Sequence, residues 1–408
     1  MSRKKSEKTK GYQLGADLVI AIIIVGGGFL YFSAPTLYST NYTAPVAVAQ
    51  SATLAPVAIK RDPNELVVTH IPTPVPFKAL YMTNYVAGVK NWRESIVKII
   101  DTTELNSVVI DIKDYTGRIG YEVYDPELKA VGAEDRRIPD IRQFIDELHK
   151  KHIYVVGRIA VFQDPYMVRL HPDWAVKKAS DKTAMWKDYK GISWIEIGAT
   201  PMWDYIISIA KDAYAAGFDE LNFDYVRFPS DGNMSDIYYP HLEGKTKAEA
   251  LREFFEYVHD EMATTGAVLS VDLFGMTTTN NDDLNIGQKL ENALPYFDYV
   301  MPMVYPSHYP TNFIGYKNPA AYPYEVVKYS MGKGVLKAEA ASSSPLKLRP
   351  WLQDFNLGAV YTPDMVRAQM KATYDVGLDS WALWNAANQY ISDGLLPEEQ
   401  TASVSSSL

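Results

Sequence analysis

Two aspartates stand where side chains able to break a covalent bond would be placed. Asp224 lies in the run Leu-Asn-Phe-Asp-Tyr-Val-Arg-Phe-Pro-Ser, residues 221–230, and Asp272 in Ser-Val-Asp-Leu-Phe-Gly, residues 270–275. Both runs have the aromatic and β-branched content of a buried strand, where a carboxylate is costly unless it is paired. Adjacent strands lie about 4.8 Å apart, so carboxyl groups on neighbouring strands can approach within about 5 to 6 Å across one pocket. A pair at that separation can cleave a glycosidic bond with retention: one carboxylate attacks or stabilises the anomeric carbon, and the other protonates the leaving oxygen. Arg158 or Arg227 would hold the first as an ion pair, while crowding and burial raise the proton affinity of the second. The competing reading makes Asp224 and the arginines a buried ion-pair network that only shapes the core.

Such residues need elements to aim them. Apolar runs bounded by turn signals predict strands at Ala79 to Thr83, Ser107 to Lys113, Tyr154 to Val161, Glu220 to Arg227, Val268 to Phe274, Tyr299 to Tyr305, Leu348 to Gln353 and Ser380 to Trp384. Helical patterns alternate with them at Ile141 to Lys151, Trp203 to Ala216, Ala248 to Met262, Pro323 to Met331 and Met365 to Val376. Thr246-Lys247-Ala248-Glu249 has the spacing of a capping box, and Gly217 and Gly377 each read as a helix stop followed at once by a strand. Eight strands alternating with helices predict an α/β fold, a (β/α)8 TIM barrel with enlarged βα loops, over residues 77–395. Active sites of that fold gather at the C-terminal strand ends, and strand parity sorts inward from outward residues. By parity Asp111 and Lys113 share a face on the second strand, Asn222 goes with Asp224, and Ser270 with Asp272. Arg158 on the third strand and Arg349, Trp351 and Gln353 on the seventh join them.

The runs Phe223-Asp224-Tyr225-Val226-Arg227-Phe228-Pro229, Ser270 to Gly275, Ile286-Gly287-Gln288 and Tyr299-Val300-Met301-Pro302-Met303-Val304-Tyr305-Pro306-Ser307-His308-Tyr309 resemble an uncharacterised bacterial glycoside hydrolase family. That family's barrel is similar to those of the α-amylase clan and of bacterial cell-wall glycan hydrolases. The resemblance implies a nucleophile on the fourth strand, Asp224, and an acid/base on the fifth, Asp272, acting on a polysaccharide or cell-wall glycan. The amylase-like pattern has Glu on the fifth strand, one methylene longer, so a loop acid such as Glu196 is an alternative proton donor. A third acid on the seventh strand would be Asp354, but parity makes Gln353 the inward residue. Asp111, Lys113, Arg158, Arg227, Tyr305, His308, Gln353 and Asn385 are expected to bind substrate. The loop after the third strand carries Trp174, Trp186 and Trp194, whose rings are either sugar platforms or a satellite core; Trp194 is placed among the binding residues.

Two other chemistries compete. Lys113 beside Asp111 and Asp114 suggests a Schiff-base lyase, although acids flanking it would keep the amine protonated. A barrel that binds or senses glycan without turnover is the other. No P-loop, Gly-x-Ser-x-Gly or His-Glu-x-x-His run occurs, no cofactor motif is found, and Asn280-Asn281-Asp282-Asp283 reads as a solvated loop rather than a metal site.

The 408 residues carry a formal charge of −9 and 47% hydrophobic residues, a globular composition that argues against nucleic acid as a partner. The absence of cysteine excludes thiol catalysis and disulfides. At the start, a basic flank over 1–13 precedes an apolar stretch over 14–32 ending in Phe-Leu-Tyr-Phe, the order of a single transmembrane anchor with its N-terminus in the cytoplasm. A Pro/Ala/Thr/Ser-rich tether over 33–76 would hold the barrel outside the membrane, or release it if a signal peptide were cleaved near Ala47-Val48-Ala49. Residues 396–408 read as a frayed tail.

Overall fold

The structure, a computed structural model, describes residues 66–398. Its centre is a closed barrel of eight strands: β1 (Lys78–Met82), β2 (Ser107–Lys113), β3 (Tyr154–Ala160), β4 (Glu220–Asp224), β5 (Val268–Phe274), β6 (Tyr299–Met303), β7 (Trp351–Gln353) and β8 (Trp381–Trp384). Each pairs in parallel with its neighbours in sequence, and β8 closes on β1 through Lys78↔Trp381 to Leu80↔Leu383. All eight strands fall where the apolar runs place them. Their ends differ for local reasons. β4 stops at Asp224 because Tyr225 turns into the left-handed region at φ 54°, and the β7 ladder begins after Pro350, which has no N–H to give.

A helix follows each of the first seven strands: α1 (Lys90–Asp101), α2 (Ile141–His149), α3 (Pro201–Ala216), α4 (Lys247–Met262), α5 (Leu290–Ala293), α6 (Pro323–Ala340) and α7 (Pro363–Tyr374). After β8 the described chain makes a short 3-10 turn, Ser392–Gly394, and returns to pair Pro397 with Thr103. Helices α1 and α5 go beyond the sequence reading, and α6 continues well past Met331. Within that extension a Cβ at Gly334 would press on Thr278 and Leu348 at 3.2 and 3.3 Å, so the glycine permits close packing. The capping box of α4 forms as expected between Thr246 and Glu249. Apolar side chains between strands and helices make the outer core, while Val109, Val156, Met301, Trp351 and Ala382 fill the barrel interior.

Two features frame the strand ends. The loops following β3 and β4 pair through the short antiparallel strands Lys177–Lys178 and Ile237–Tyr238, and Trp186 Nε1 donates to the Asn233 carbonyl at 2.9 Å. At the opposite end, residues 66–76, counted above with the tether, lie on the barrel: Ile71 N–H donates to Asp219 at 2.8 Å, and His70 stacks on Tyr214 at 4.0 Å. The anchor expected over 14–32 lies outside the described residues, as do 1–13, most of the tether and the last ten residues. Among the described residues no helix is long and apolar enough to cross a membrane.

Candidate active site

Strand parity brings four charged residues into one layer at the C-terminal end of the barrel. Arg158, in the middle of β3, is its centre. Its Nη1 donates to Asp111 Oδ1 on β2 at 2.6 Å, and its Nε donates to Asp224 Oδ2 on β4 at 3.1 Å, with Nη2 completing a fork onto the same oxygen. Burial works against the guanidinium's charge, but Asp224 and then Asp111 more than offset it and push its pKa well above the usual value. Asp111 is fixed from the other side by the Tyr81 hydroxyl at 2.6 Å. Burial raises the Asp111 pKa, with Arg158 opposing.

Asp272 sits beside this cluster on β5. Its Oδ1 accepts from Asn222 Nδ2 at 2.9 Å and from Trp351 Nε1 at 2.8 Å, while Oδ2 stands 3.9 Å from Arg158 Nε. Asp224 Oδ2 and Asp272 Oδ2 are therefore no farther apart than the sum of their distances to that one nitrogen. Burial drives the Asp272 pKa well above the carboxylate range; the Asp224 charge adds to this and Arg158 opposes it. The two carboxyl groups thus differ in kind. Asp224 is forked by a guanidinium and accepts the Tyr225 N–H at 2.5 Å, whereas Asp272 is held by neutral donors and favours its protonated form.

The left-handed Tyr225 directly after Asp224 is a backbone conformation that costs energy for a residue with a side chain, and such residues cluster where surrounding structure enforces a functional geometry. Gln288 supplies some of that enforcement. It accepts from Phe274 N at 2.9 Å and donates to the Val226 carbonyl at 3.2 Å, tying the end of β5 to the turn after β4.

Asp224 and Asp272 open into a cavity of about 310 Å³, at the small end of ligand pockets. Arg158, Arg227, Tyr305 and His308 line it as expected, together with Tyr225, Met303, Tyr309 and Trp384. Trp384, on β8, was missed. It stacks on Tyr81 at 3.8 Å and faces the cavity, offering the flat ring sought in the loops. The signal was present, because Ala382 and Trp384 share the inward parity of β8.

A protein-family profile described as "putative glycosyl hydrolase domain" matches residues 79–390. The chain belongs to this glycosyl hydrolase family. A solved structure of a hypothetical protein from Ruminiclostridium thermocellum ATCC 27405 is 31% identical, covering 51% of this chain and 98% of that one, with a TM-score of 0.44. The PgaB (BpsB) glycoside hydrolase domain from Bordetella bronchiseptica is 12% identical, covering 77% of this chain and 95% of that one, with a TM-score of 0.53, a likeness of fold. Among curated proteins none matches.

The remaining expected residues of this glycosyl hydrolase barrel lie off the cavity. The register of β2 on β3 slips between Asp111 and Lys113, so Lys113 lies beside Ile159, a residue of the outer core. Its amine pairs with buried Asp164 at 2.8 Å, which corrects the inward placement and leaves a Schiff-base mechanism without its amine in the cavity. Trp194 is buried, with Nε1 donating to Asp188 at 3.1 Å and Arg227 lying 4.7 Å over its ring; it backs the wall rather than forming it. Trp186 is buried too, and Trp174 stacks on His171; all three pack into or against the main apolar core rather than offering platforms in the cavity. Gln353 is buried, accepting from Ser307 N–H at 3.1 Å, and so positions the turn that carries Tyr305 and His308. Asn385 spends its amide on the Asp354 and Gln389 carbonyls. Glu196 accepts the His241 N–H between the two paired loops, and burial raises its pKa to about 7; it does not line the cavity. Asp354 takes the Ile391 N–H at 3.0 Å, and burial raises its pKa to about 6, again away from the cavity.

Proposed function

We propose that this glycosyl hydrolase cleaves a polysaccharide or cell-wall glycan with retention, using Asp224 as nucleophile and Asp272 as acid/base. The observation that carries the reading is the division of one arginine between unlike carboxyl groups: Arg158 forks Asp224 and leaves Asp272, beside it, favouring its proton. The 3.1 and 3.9 Å contacts to Arg158 Nε limit the distance between the two Oδ2 atoms to their sum, which favours the roughly 5–5.5 Å separation of retaining pairs over the roughly 6.5–9.5 Å of inverting ones. In the first step Asp224 attacks the anomeric carbon and forms a glycosyl ester while Asp272 gives its proton to the departing oxygen. In the second, Asp272 takes a proton from water, which attacks the same carbon and releases Asp224. Asp111, through Arg158, and Gln288, through the strand ends, fix the geometry. Tyr305, His308 and Trp384 contact the sugar.

The test is proton NMR of the first product released from oligosaccharides of bacterial walls and exopolysaccharides. Retention expects the anomer of the substrate before mutarotation, and the opposite anomer would rule the mechanism out. The basic flank and apolar stretch at 1–32 support an anchored, extracytoplasmic enzyme with its N-terminus in the cytoplasm. Deleting residues 1–50 should move the protein from the membrane to the soluble fraction of cells, and an unchanged distribution would remove the anchor.

A further inference from the structure

One cation lining the cavity makes no ion pair among the described residues. The charges of Asp224, Asp231 and Asp188 act on Arg227, three residues beyond Asp224, but none of them meets it in a salt bridge. Asp188 is occupied elsewhere, accepting from Lys190 N, Ile192 N and Trp194 Nε1, and Asp224 is forked by Arg158. The Arg227 guanidinium is held in place without being neutralised. Its Nη1 donates to the Phe228 carbonyl at 3.2 Å and to Ser230 Oγ at 3.1 Å, and its central carbon stands 4.7 Å from the centre of the Trp194 ring and 5.0 Å from that of Phe274. Both bonds use one nitrogen. The edge formed by Nε and Nη2 makes no hydrogen bond among the described residues, and Arg227 lines the cavity with Asp224 and Asp272.

That edge has a defined chemical complement. Nε–H and Nη2–H point the same way and match the two oxygens of a carboxylate. Arg158 puts these same two nitrogens onto Asp224. We propose that Arg227 receives a carboxylate carried by the glycan, so that the barrel's substrate is an acidic sugar polymer. The inference rests on the reading of this cavity as a glycan site and narrows its substrate class. Burial lowers the Arg227 pKa, a cost that an arriving carboxylate relieves and a neutral sugar hydroxyl does not. The carboxylate could be the C6 group of a uronic acid or a lactyl ether on an amino sugar, and pairs of monosaccharides that differ only in that group separate the two sources.

Equilibrium binding to the purified full-length protein, by calorimetry or ligand-observed NMR, compares glucuronic acid with glucose and N-acetylmuramic acid with N-acetylglucosamine. One acid should bind about tenfold or more tightly than its neutral partner, and the winning pair identifies the source. The preference should disappear in Arg227→Gln and be weakened in Arg227→Lys, which keeps the charge and loses the fork, with circular dichroism confirming that both variants fold. Equal binding within both pairs, no binding of either acid, or a preference undiminished in Arg227→Gln overturns the proposal. Hydrolysis is scored separately. Acid-selective binding without cleavage of any glycan would defeat the hydrolase mechanism and keep the acidic substrate; cleavage of a neutral glycan with no acid preference would do the reverse.

Discussion

The barrel interior holds two buried ionic clusters, one at each end, built by the same parity on overlapping strands. At the N-terminal end Arg349 Nη1 meets Glu220 at 2.9 Å, Tyr154 adds a hydroxyl to that carboxylate at 3.2 Å, and the guanidinium lies over Phe77 and Tyr299. At the C-terminal end Arg158 faces Asp111, Asp224 and Asp272. Below, one cation meets one anion and the chemistry ends there. Above, a single arginine faces three carboxyl groups, and burial meets part of the excess by raising the proton affinity of Asp272 and of Asp111. A balanced buried pair shapes a core; an unbalanced one at an open strand end has something left to react with. That difference separates the two meanings a buried carboxylate can have in this sequence.

The widest gap between the clusters should appear in paired amide substitutions. Asp224→Asn should lower turnover by about a thousandfold or more with substrate affinity largely kept, because it removes charge needed only as the oxocarbenium-like transition state forms. Glu220→Gln should leave turnover nearly intact and cost about 3 to 5 kcal/mol of stability, since it strands a buried guanidinium. Kinetics and denaturant titration on both variants decide the matter, and a crossed result would exchange their roles. Next in size is Asp272→Asn, expected to cost about 10² to 10⁴ in turnover on a natural glycosidic bond and far less on an aryl glycoside whose leaving group needs no proton. An equal loss on both substrates would deny Asp272 the role of acid.

A smaller effect is the pH dependence of stability. The folded pKa of Asp272 is raised, so the native state binds more protons there than the unfolded chain. Its contribution is fully present below the unfolded carboxylate value of about 3.9 and is lost as pH rises toward the folded value. Asp272→Asn should therefore flatten the fall in stability from acid to neutral pH, measured by melting across that range, whereas an unaltered slope would contradict the placement of the proton. Smallest, Trp384→Ala should raise KM several-fold, by about 1 kcal/mol of lost ring contact, with little change in kcat.

What could be read in advance follows from how local each signal is. Apolar runs between turn signals located all eight strands, and strand alternation, a two-residue rule, picked out the inward set Asp111, Arg158, Asn222, Asp224, Asp272 and Trp351. It failed at Lys113, where a register slip between neighbouring strands breaks the alternation without any mark in β2 itself. The loop tryptophans were ambiguous because their exposure depends on the loops after β3 and β4 pairing with each other, a contact between segments far apart in sequence. Trp384 could have been found from parity alone, but a tryptophan on a strand looks like core whichever way it points. Arg227 was legible as a site residue, yet only the geometry distinguishes it from Arg158 as a cation that makes no ion pair among the described residues.

The sharing of Arg158 also sets an order of events. While Asp224 is a free carboxylate, its charge helps Asp272 keep a proton. On the proposed route the glycosyl ester erases that charge at the moment Asp272 has given its proton away. The arginine, facing one anion fewer, then acts more strongly on Asp272 across 3.9 Å and lowers its affinity for protons. Hydrolysis of the ester restores the Asp224 charge and with it the hold of Asp272 on the proton it has drawn from water. The acid of the first half-reaction and the base of the second are then one residue switched by the covalent state of its neighbour, and the cycle resets without any movement of the barrel.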